Sequence, residues 1–154
     1  FNAAGATEEL GEDHHDESHL IPNVILAQLV EREFSLFGND YPTPDGTCVR
    51  DYIHVLDLAE AFRISAEQLL AGGETTCYNA GTGHGYSNLE IIKMIEKVSG
   101  KPVAIKYEPR RPGDANELVA DVSRIKSELS WSPSHSDIES IVKSAYLYHS
   151  KYHV

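Results

Sequence analysis

The chain has 154 residues, 41% of them apolar, enough for one domain with a modest core and too many for a disordered or fibrous chain. Its formal net charge of −11 argues against a nucleic-acid-binding surface, so any anionic ligand must be met by a local concentration of cations. No apolar run approaches the roughly 20 residues needed to cross a bilayer.

The chain opens at Phe1 rather than Met, in the short apolar-to-turn sequence Phe1-Asn-Ala-Ala-Gly-Ala6, which reads as a truncation. Residues 7–19 are polar and rich in Glu, Asp and His and read as a loop. From Leu20 to Glu33, Ile21, Ile25 and Leu29 recur at i, i+4 and i+8, the spacing of an amphipathic helix. Phe34 to Gly38 is a strand candidate and the Pro/Gly/Asp-rich segment 39–47 a loop. Val49, Ile53 and Val55 then share one face of a further strand. Asp57 is placed to cap a helix running to about Leu70, ended by Gly72-Gly73.

Thr75 to Ala80 reads as a strand and Gly81 to Gly85 as a tight loop. Ser87-Asn-Leu-Glu90 forms a capping box opening a helix that stops at Gly100. Val103 to Tyr107 is another strand, 109–114 a loop, and Ser123 to Leu129 a short helix before Trp131. A second capping box, Ser136-Asp-Ile-Glu139, opens a last helix with Ile138, Ile141, Val142 and Ala145 on its buried face. Helices separated by short strands give an α/β reading, with too few strands to close a sheet of their own.

Three features invite a chemical reading and are better explained without one. Gly81-Thr-Gly-His-Gly85 lies between strand and helix, but the third glycine of a dinucleotide fingerprint would fall at Tyr86, so it reads as a plain turn. In Gly11-Glu-Asp-His-His-Asp-Glu-Ser-His19 the candidate metal ligands lack fixed helical or knuckle spacing, and a solvated loop without metal is the expectation. Cys48 and His54 share a strand face but lie about 20 Å apart at ~3.3 Å per residue, too far for a nucleophile and its base. With no CxxC spacing between Cys48 and Cys77 and no apolar leader, a reduced, cytoplasmic location is expected.

Two arginine elements carry more. In Tyr41-Pro-Thr-Pro-Asp-Gly-Thr-Cys-Val-Arg-Asp-Tyr-Ile-His-Val55, a turn-rich half delivers Arg50 onto an apolar, strand-like half. Arg110-Arg-Pro-Gly-Asp114 places two guanidinium groups beside a Pro-Gly turn and a carboxylate, types suited to phosphate oxygens and to ribose hydroxyls. Phe37, beside Gly38, could stack on a base.

In order along the chain, Phe1-Asn2 with Gly5, Gly11-Glu-Asp-His14, His19-Leu-Ile-Pro22, Phe37-Gly-Asn-Asp-Tyr-Pro-Thr43, Arg50-Asp-Tyr-Ile-His-Val55, Tyr78-Asn79 through Gly85, Pro109 to Asp114 and Leu129 to Trp131 resemble the UDP-glucose 4-epimerase family, of the extended short-chain dehydrogenase/reductase class. The resemblance covers nearly the whole chain but only part of such an enzyme. It implies the C-terminal part of a doubly wound, NAD-binding Rossmann-type fold plus the small α/β substrate-binding domain, all of 1–154 belonging to the substrate-binding portion. By the same resemblance Phe1 touches the nicotinamide end of NAD, and Asn2 and His19 lie along the diphosphate and sugar. Ser35, Leu36 and Phe37 hold the uracil, Arg50 and Arg111 clamp the diphosphate, and Asp114 binds the uridine ribose. Leu118 falls where some members carry a bulky Tyr, which implies room for an N-acetylated UDP-hexosamine.

The family interconverts UDP-glucose and UDP-galactose, using a Tyr base and a hydride passed to NAD and returned to the other face of a 4-keto sugar. Neither its glycine-rich NAD loop nor its Tyr-x-x-x-Lys pair occurs in these 154 residues, and Tyr148 is followed four positions on by Tyr152. The resemblance therefore implies no catalytic residue here, and a homodimer for the parent enzyme. The rival readings are a related nucleotide-sugar dehydratase, decarboxylase or epimerase, and a non-catalytic UDP-sugar-binding module.

Overall fold

A computed structural model describes residues 1–152. The elements in chain order are β1 (Asn2–Ala4), α1 (Leu20–Leu29), β2 (Phe34–Phe37), β3 (Val49–His54), α2 (Val55–Leu70), β4 (Gly85–Ser87), α3 (Asn88–Ser99), β5 (Ile105–Glu108), β6 (Glu117–Leu118), α4 (Ser123–Leu129) and α5 (Ile138–Tyr152).

β3 organises the molecule. Its second half runs parallel to β1, with Asn2, Ala3 and Ala4 opposite Tyr52, Ile53 and His54. Its first half lies between antiparallel β4 and parallel β6. β2 and β5 form a separate parallel pair. Because neighbouring strand residues point to opposite faces, Tyr52 enters one core cluster and Ile53 the other. The first cluster packs Ile21, Val24 and Ile25 of α1 against Ile91, Ile92 and Ile95 of α3 and Ile141 and Val142 of α5. The second gathers Ala61, Val122, Ile125, Leu129 and Trp131. Each of these isoleucines is almost wholly out of water and contributes roughly 1.5–3 kcal/mol by that burial.

The helical stripes of α1, α3 and α5 bury the residues their spacing predicts, but several boundaries differ. α1 stops at Leu29, four residues early. Glu31 takes a left-handed φ of 53°, its N–H reaches Gln28 O and that of Arg32 reaches Ala27 O, closing the helix end on itself. Val55 is not on the strand: the His54 Nδ1 accepts from Leu56 N–H and starts α2 there.

Asp57 is therefore not the cap. Its buried carboxylate instead accepts from the Ser134 and His135 N–H groups and from Ser136 Oγ. Burial alone would raise the Asp57 pKa, but those hydrogen bonds outweigh it and hold it below the usual carboxylate value. With Ser136 committed to Asp57 and to His54 N–H, the second capping box does not form, and Asp137 caps α5 through Ser140 N–H at 2.9 Å.

Thr75 to Ala80 joins no ladder among the described residues. Arg124 holds it at Cys77 O (3.3 Å) and Thr76 Oγ1 (2.6 Å), and Asn79 Nδ2 donates to Asp121 O. β5 starts at Ile105, not Val103. The two-residue β6 and the three-residue β4 are not anticipated by composition. No described helix is long and apolar enough to cross a membrane.

His54 gives the fold a pH dependence. Its Nδ1 accepts from Leu56 N–H, so the ring carries its proton on Nε2 and donates to Ser144 Oγ at 3.0 Å. Burial lowers its pKa, and the His135 ring works in the same direction against the opposing Asp57 and Asp137 charges. A depressed histidine pKa means that below about pH 6.5 the unfolded chain binds a proton the folded chain refuses. Stability therefore falls as pH drops from 6.5 toward the folded value, by up to about 1.4 kcal/mol per pH unit from this residue. Urea unfolding at pH 7.5 and 5.5 checks this, with His54→Gln expected to flatten the dependence.

Candidate functional site

A cleft of about 230 Å³ opens between β1, the start of α1, β2 and β3. Asn2, His19, Ser35, Leu36, Phe37, Arg50, Arg111 and Asp114 all line it. The structure thus brings together eight residues drawn from positions 2 to 114. Phe1, 50% exposed, and Leu118, 50% exposed on β6 opposite Arg50, lie outside its wall.

The Tyr41–Val55 run builds one side. Tyr41 N–H bonds Gly46 O, Thr43 Oγ1 donates to Thr47 O at 2.7 Å, and Asp45 accepts from the Thr47 N–H and hydroxyl. The resulting knot serves the N-terminus of α3: Ser87 Oγ caps Glu90 N–H and donates to Asp45, while Asn88 and Leu89 N–H go to Cys48 O and Thr47 Oγ1. Burial would raise the Asp45 pKa, yet the bonds from Ser87 and Thr47 lower it on balance, keeping the anion that the knot needs. Gly38 has φ 79°, and a Cβ there would stand 2.3 Å from the Tyr41 ring, so only glycine lets the backbone after Phe37 run this close to Tyr41.

Arg50 is fixed before any ligand arrives. One guanidinium nitrogen donates to Val49 O at 2.8 Å and Ala115 O at 2.9 Å, and the other lies 3.6 Å from Asp114 Oδ1. The two adjacent arginines diverge. Arg110 pairs with Asp40 at 2.6 Å and stacks over Tyr41, away from the cleft wall. Arg111 lies 4.0 Å over the Phe37 ring, an exposed cation resting on the aromatic face at the cleft mouth. Arg50 is thus held in place by three partners, while Arg111 is exposed and stacked on Phe37. Burial and the neighbouring Cys48 push the Tyr41 phenol up to about 12, so it stays neutral against this wall.

Asp51 was not anticipated as part of the site. It is 0% exposed, yet its carboxylate faces no cation and takes hydrogen bonds from Thr82 N–H and Oγ1, Gly83 N–H and Ala120 N–H at 2.7–3.2 Å. Asp51 thereby fastens the strand carrying Arg50 to the Gly81–Gly85 loop. A Cβ at Gly81 would stand 2.7 Å from that carboxylate and 2.6 Å from Ala120. The loop's Thr82 and Gly83 N–H groups are spent on Asp51, which takes from it the backbone donors a pyrophosphate cradle uses. The only sequence hint was the Arg-Asp pair itself, since the partners lie 31 to 69 residues away.

Cys48 and Cys77 are free, the first buried in the cleft wall and the second exposed. The His-rich loop is less diffuse than its spacing suggests. Glu12 Oε1 lies 2.6 Å from His19 Nδ1 and 3.2 Å from His14 Nε2, and burial together with the nearby Glu17 raises the Glu12 pKa.

The cleft therefore presents a braced and an exposed cation, an aromatic face and a carboxylate, types suited to an anion that also carries a planar group. Residues 6–145 match the family model described as GDP-mannose 4,6 dehydratase. A UDP-glucose 4-epimerase of Rhizobium meliloti is 49% identical over 154 residues, 98% of this chain and 47% of that protein. Two crystal structures of UDP-glucose 4-epimerases superpose closely. That from Brucella ovis, in complex with NAD, has TM-score 0.91 and 40% identity over 96% of this chain and 46% of its own. That from Bifidobacterium longum, in complex with NAD+ and UDP, has TM-score 0.89 and 40% identity over 99% and 46%. The chain spans about half the length of the curated relatives it matches. It belongs to the family described as GDP-mannose 4,6 dehydratase, and within it resembles the C-terminal part of UDP-glucose 4-epimerases.

Proposed function

We propose that this chain is the UDP-sugar-binding portion of an NAD-dependent UDP-glucose/UDP-galactose 4-epimerase and does not turn over substrate by itself. The observation that carries this reading is the convergence of Ser35, Leu36, Phe37, Arg50, Arg111 and Asp114 on one cleft. In this reading Arg50 and Arg111 take the diphosphate, Phe37 and its β2 neighbours the uracil, and Asp114 the ribose hydroxyls. Asn2 and His19 line the sugar end. An epimerase must let its sugar turn over within the site, so binding energy is best placed on the part of the substrate that does not react.

The described residues do not fit a dinucleotide. Their one glycine loop has its N–H groups on Asp51, and Phe1 alone is assigned to the nicotinamide. NAD is therefore held by other residues of the complete enzyme, and no catalytic step is assigned to this chain. The parent enzyme is read as a cytoplasmic homodimer without nucleic-acid or membrane partners.

Calorimetric titration with UDP, with and without NAD, tests the reading alongside a UDP-galactose turnover assay. Binding of UDP that is indifferent to NAD, without turnover, is the expected result; a folded chain that ignores UDP contradicts it. The family description favours one rival, a GDP-sugar dehydratase, and tighter binding of GDP than of UDP would select it.

Leu118 is assigned to the room beyond the sugar. In the complete enzyme, Leu118→Tyr is expected to cut UDP-N-acetylglucosamine turnover by about tenfold while sparing UDP-glucose. Parallel kcat/KM values for the two substrates check this, and a wild-type hexosamine rate at background would remove the assignment.

A further inference from the structure

The loop before α1 gathers three side chains that metal ions favour, with Glu17 beside them. Glu12 Oε1 is 2.6 Å from His19 Nδ1 and 3.2 Å from His14 Nε2, and Glu17 Oε1 is 3.0 Å from the same His19 Nδ1. One atom from each of Glu12, His14 and His19 falls within 4.8 Å of the others. A single ring N–H cannot satisfy both carboxylate oxygens that approach His19 Nδ1. The two carboxylates are also like charges around one point, in side chains only 20% and 9% exposed.

A cation at that point resolves both problems. Donors bound at about 2.0–2.2 Å in a tetrahedron stand roughly 3.3–3.6 Å apart; Glu12 Oε1 and His14 Nε2 already stand near that spacing, while Glu12 Oε1 and His19 Nδ1 must part by a little under ~1 Å. Two imidazoles and one carboxylate, with a fourth position left to water, suit a borderline first-row ion, whereas Mg²⁺ prefers an all-oxygen octahedron. The loop is held for this purpose without the metal: Glu17 Oε1 accepts from His19 N–H at 2.7 Å, and Asn23 Nδ2 of α1 donates to Glu17 O at 2.9 Å.

We propose that Glu12, His14 and His19 form a binding site for one divalent cation of the zinc class at the edge of the cleft, with Glu17 bracing His19 through its N–H. His14 stands outside the cleft wall while Glu12 and His19 belong to it, so the metal sits at the edge of the ligand site and shares His19 with it. The proposal does not depend on which nucleotide the cleft takes.

Titration of the metal-free chain with zinc chloride tests it, with Co²⁺ as a spectroscopic substitute. One equivalent is expected to bind, Co²⁺ to show tetrahedral d–d absorption, and Mg²⁺ to fail to compete. His14→Ala and Glu12→Gln should each weaken zinc by at least about tenfold. His15→Ala should change nothing, because that ring is 99% exposed and meets only Asp16. Circular dichroism verifies that each variant is folded, and zinc-induced shifts of the His14 and His19 ring nitrogens in NMR provide a readout on the wild type alone. Absence of zinc binding, or affinity unmoved by both His14→Ala and Glu12→Gln, overturns the proposal.

Discussion

Asp51→Ala is expected to cost about 4 kcal/mol of stability, the largest loss from any single polar side chain described here. The carboxylate is fully buried and its lone pairs are filled by three backbone N–H groups and one hydroxyl. Alanine leaves those donors without their acceptor in a fully buried position, with Gly81 and Ala120 packed against the carboxylate. Each orphaned buried donor costs roughly 1–3 kcal/mol, and partial relaxation recovers some of the sum. For a chain this size that loss lowers Tm by roughly 8–16 °C. Asp51→Asn retains one acceptor oxygen but turns an NH₂ toward N–H donors, so it should fall between wild type and alanine. Calorimetric melting of the three proteins decides, and a loss below about 1 kcal/mol would mean that the loop does not depend on Asp51. Because Arg50 precedes Asp51 on β3, the alanine variant should also weaken anion binding.

Arg111→Ala has the opposite profile, a large effect on binding with almost none on stability. The guanidinium is exposed and rests on Phe37, a contact worth only about 0.5–1 kcal/mol at the surface. Its charge-assisted bonds to a diphosphate would each contribute roughly 1.5–3 kcal/mol. UDP affinity is expected to fall by about 10- to 150-fold, with Tm shifted by no more than about 4 °C. Arg111→Lys should restore only part of it, since an ammonium lacks the planar fork. Uridine, which has no diphosphate, should bind the variant and wild type alike. Equal losses for UDP and uridine would place Arg111 on the base rather than the phosphates. Arg50→Met is the less informative variant, because Arg50 also ties Val49, Ala115 and Asp114 together.

What could be read from the sequence follows a physical divide. Features whose partners are three or four residues away were legible: the Ser87–Glu90 capping box, the stripes of α1 and α5, and the Gly100 end of α3. Features defined by distant partners were not. β4 and β6 are strands only because β3 runs between them, and Thr75–Ala80 has strand-like residues without a neighbouring strand among those described. Asp57 and Ser136 each resemble a cap in isolation, but the hydrogen bond between them, 79 residues apart in sequence, takes both away from that role.

The site shows the same divide. Arg50, Arg111 and Asp114 stood out because cations are scarce in so acidic a chain, whereas their common cleft followed from the ordered resemblance of many short segments. Asp51, which holds the site together through Thr82, Gly83 and Ala120, had no local signature. The clustering of Glu12, His14 and His19 was likewise invisible, because their irregular spacing becomes a constellation only where the loop turns onto α1.

The central claim is that this chain forms a diphosphate and uridine cleft from β1, β2, β3 and the 109–114 loop. The most direct measurement is NMR mapping of backbone amides and arginine Nε–H groups in the 154-residue chain during titration with UDP. Saturable shifts confined to Ser35, Leu36, Phe37, Arg50, Arg111, Asp114 and their immediate neighbours are the predicted result, whereas a folded chain showing no shifts, or shifts centred on a separate hollow lined by Ala6, Ser144 and Tyr148, would contradict it.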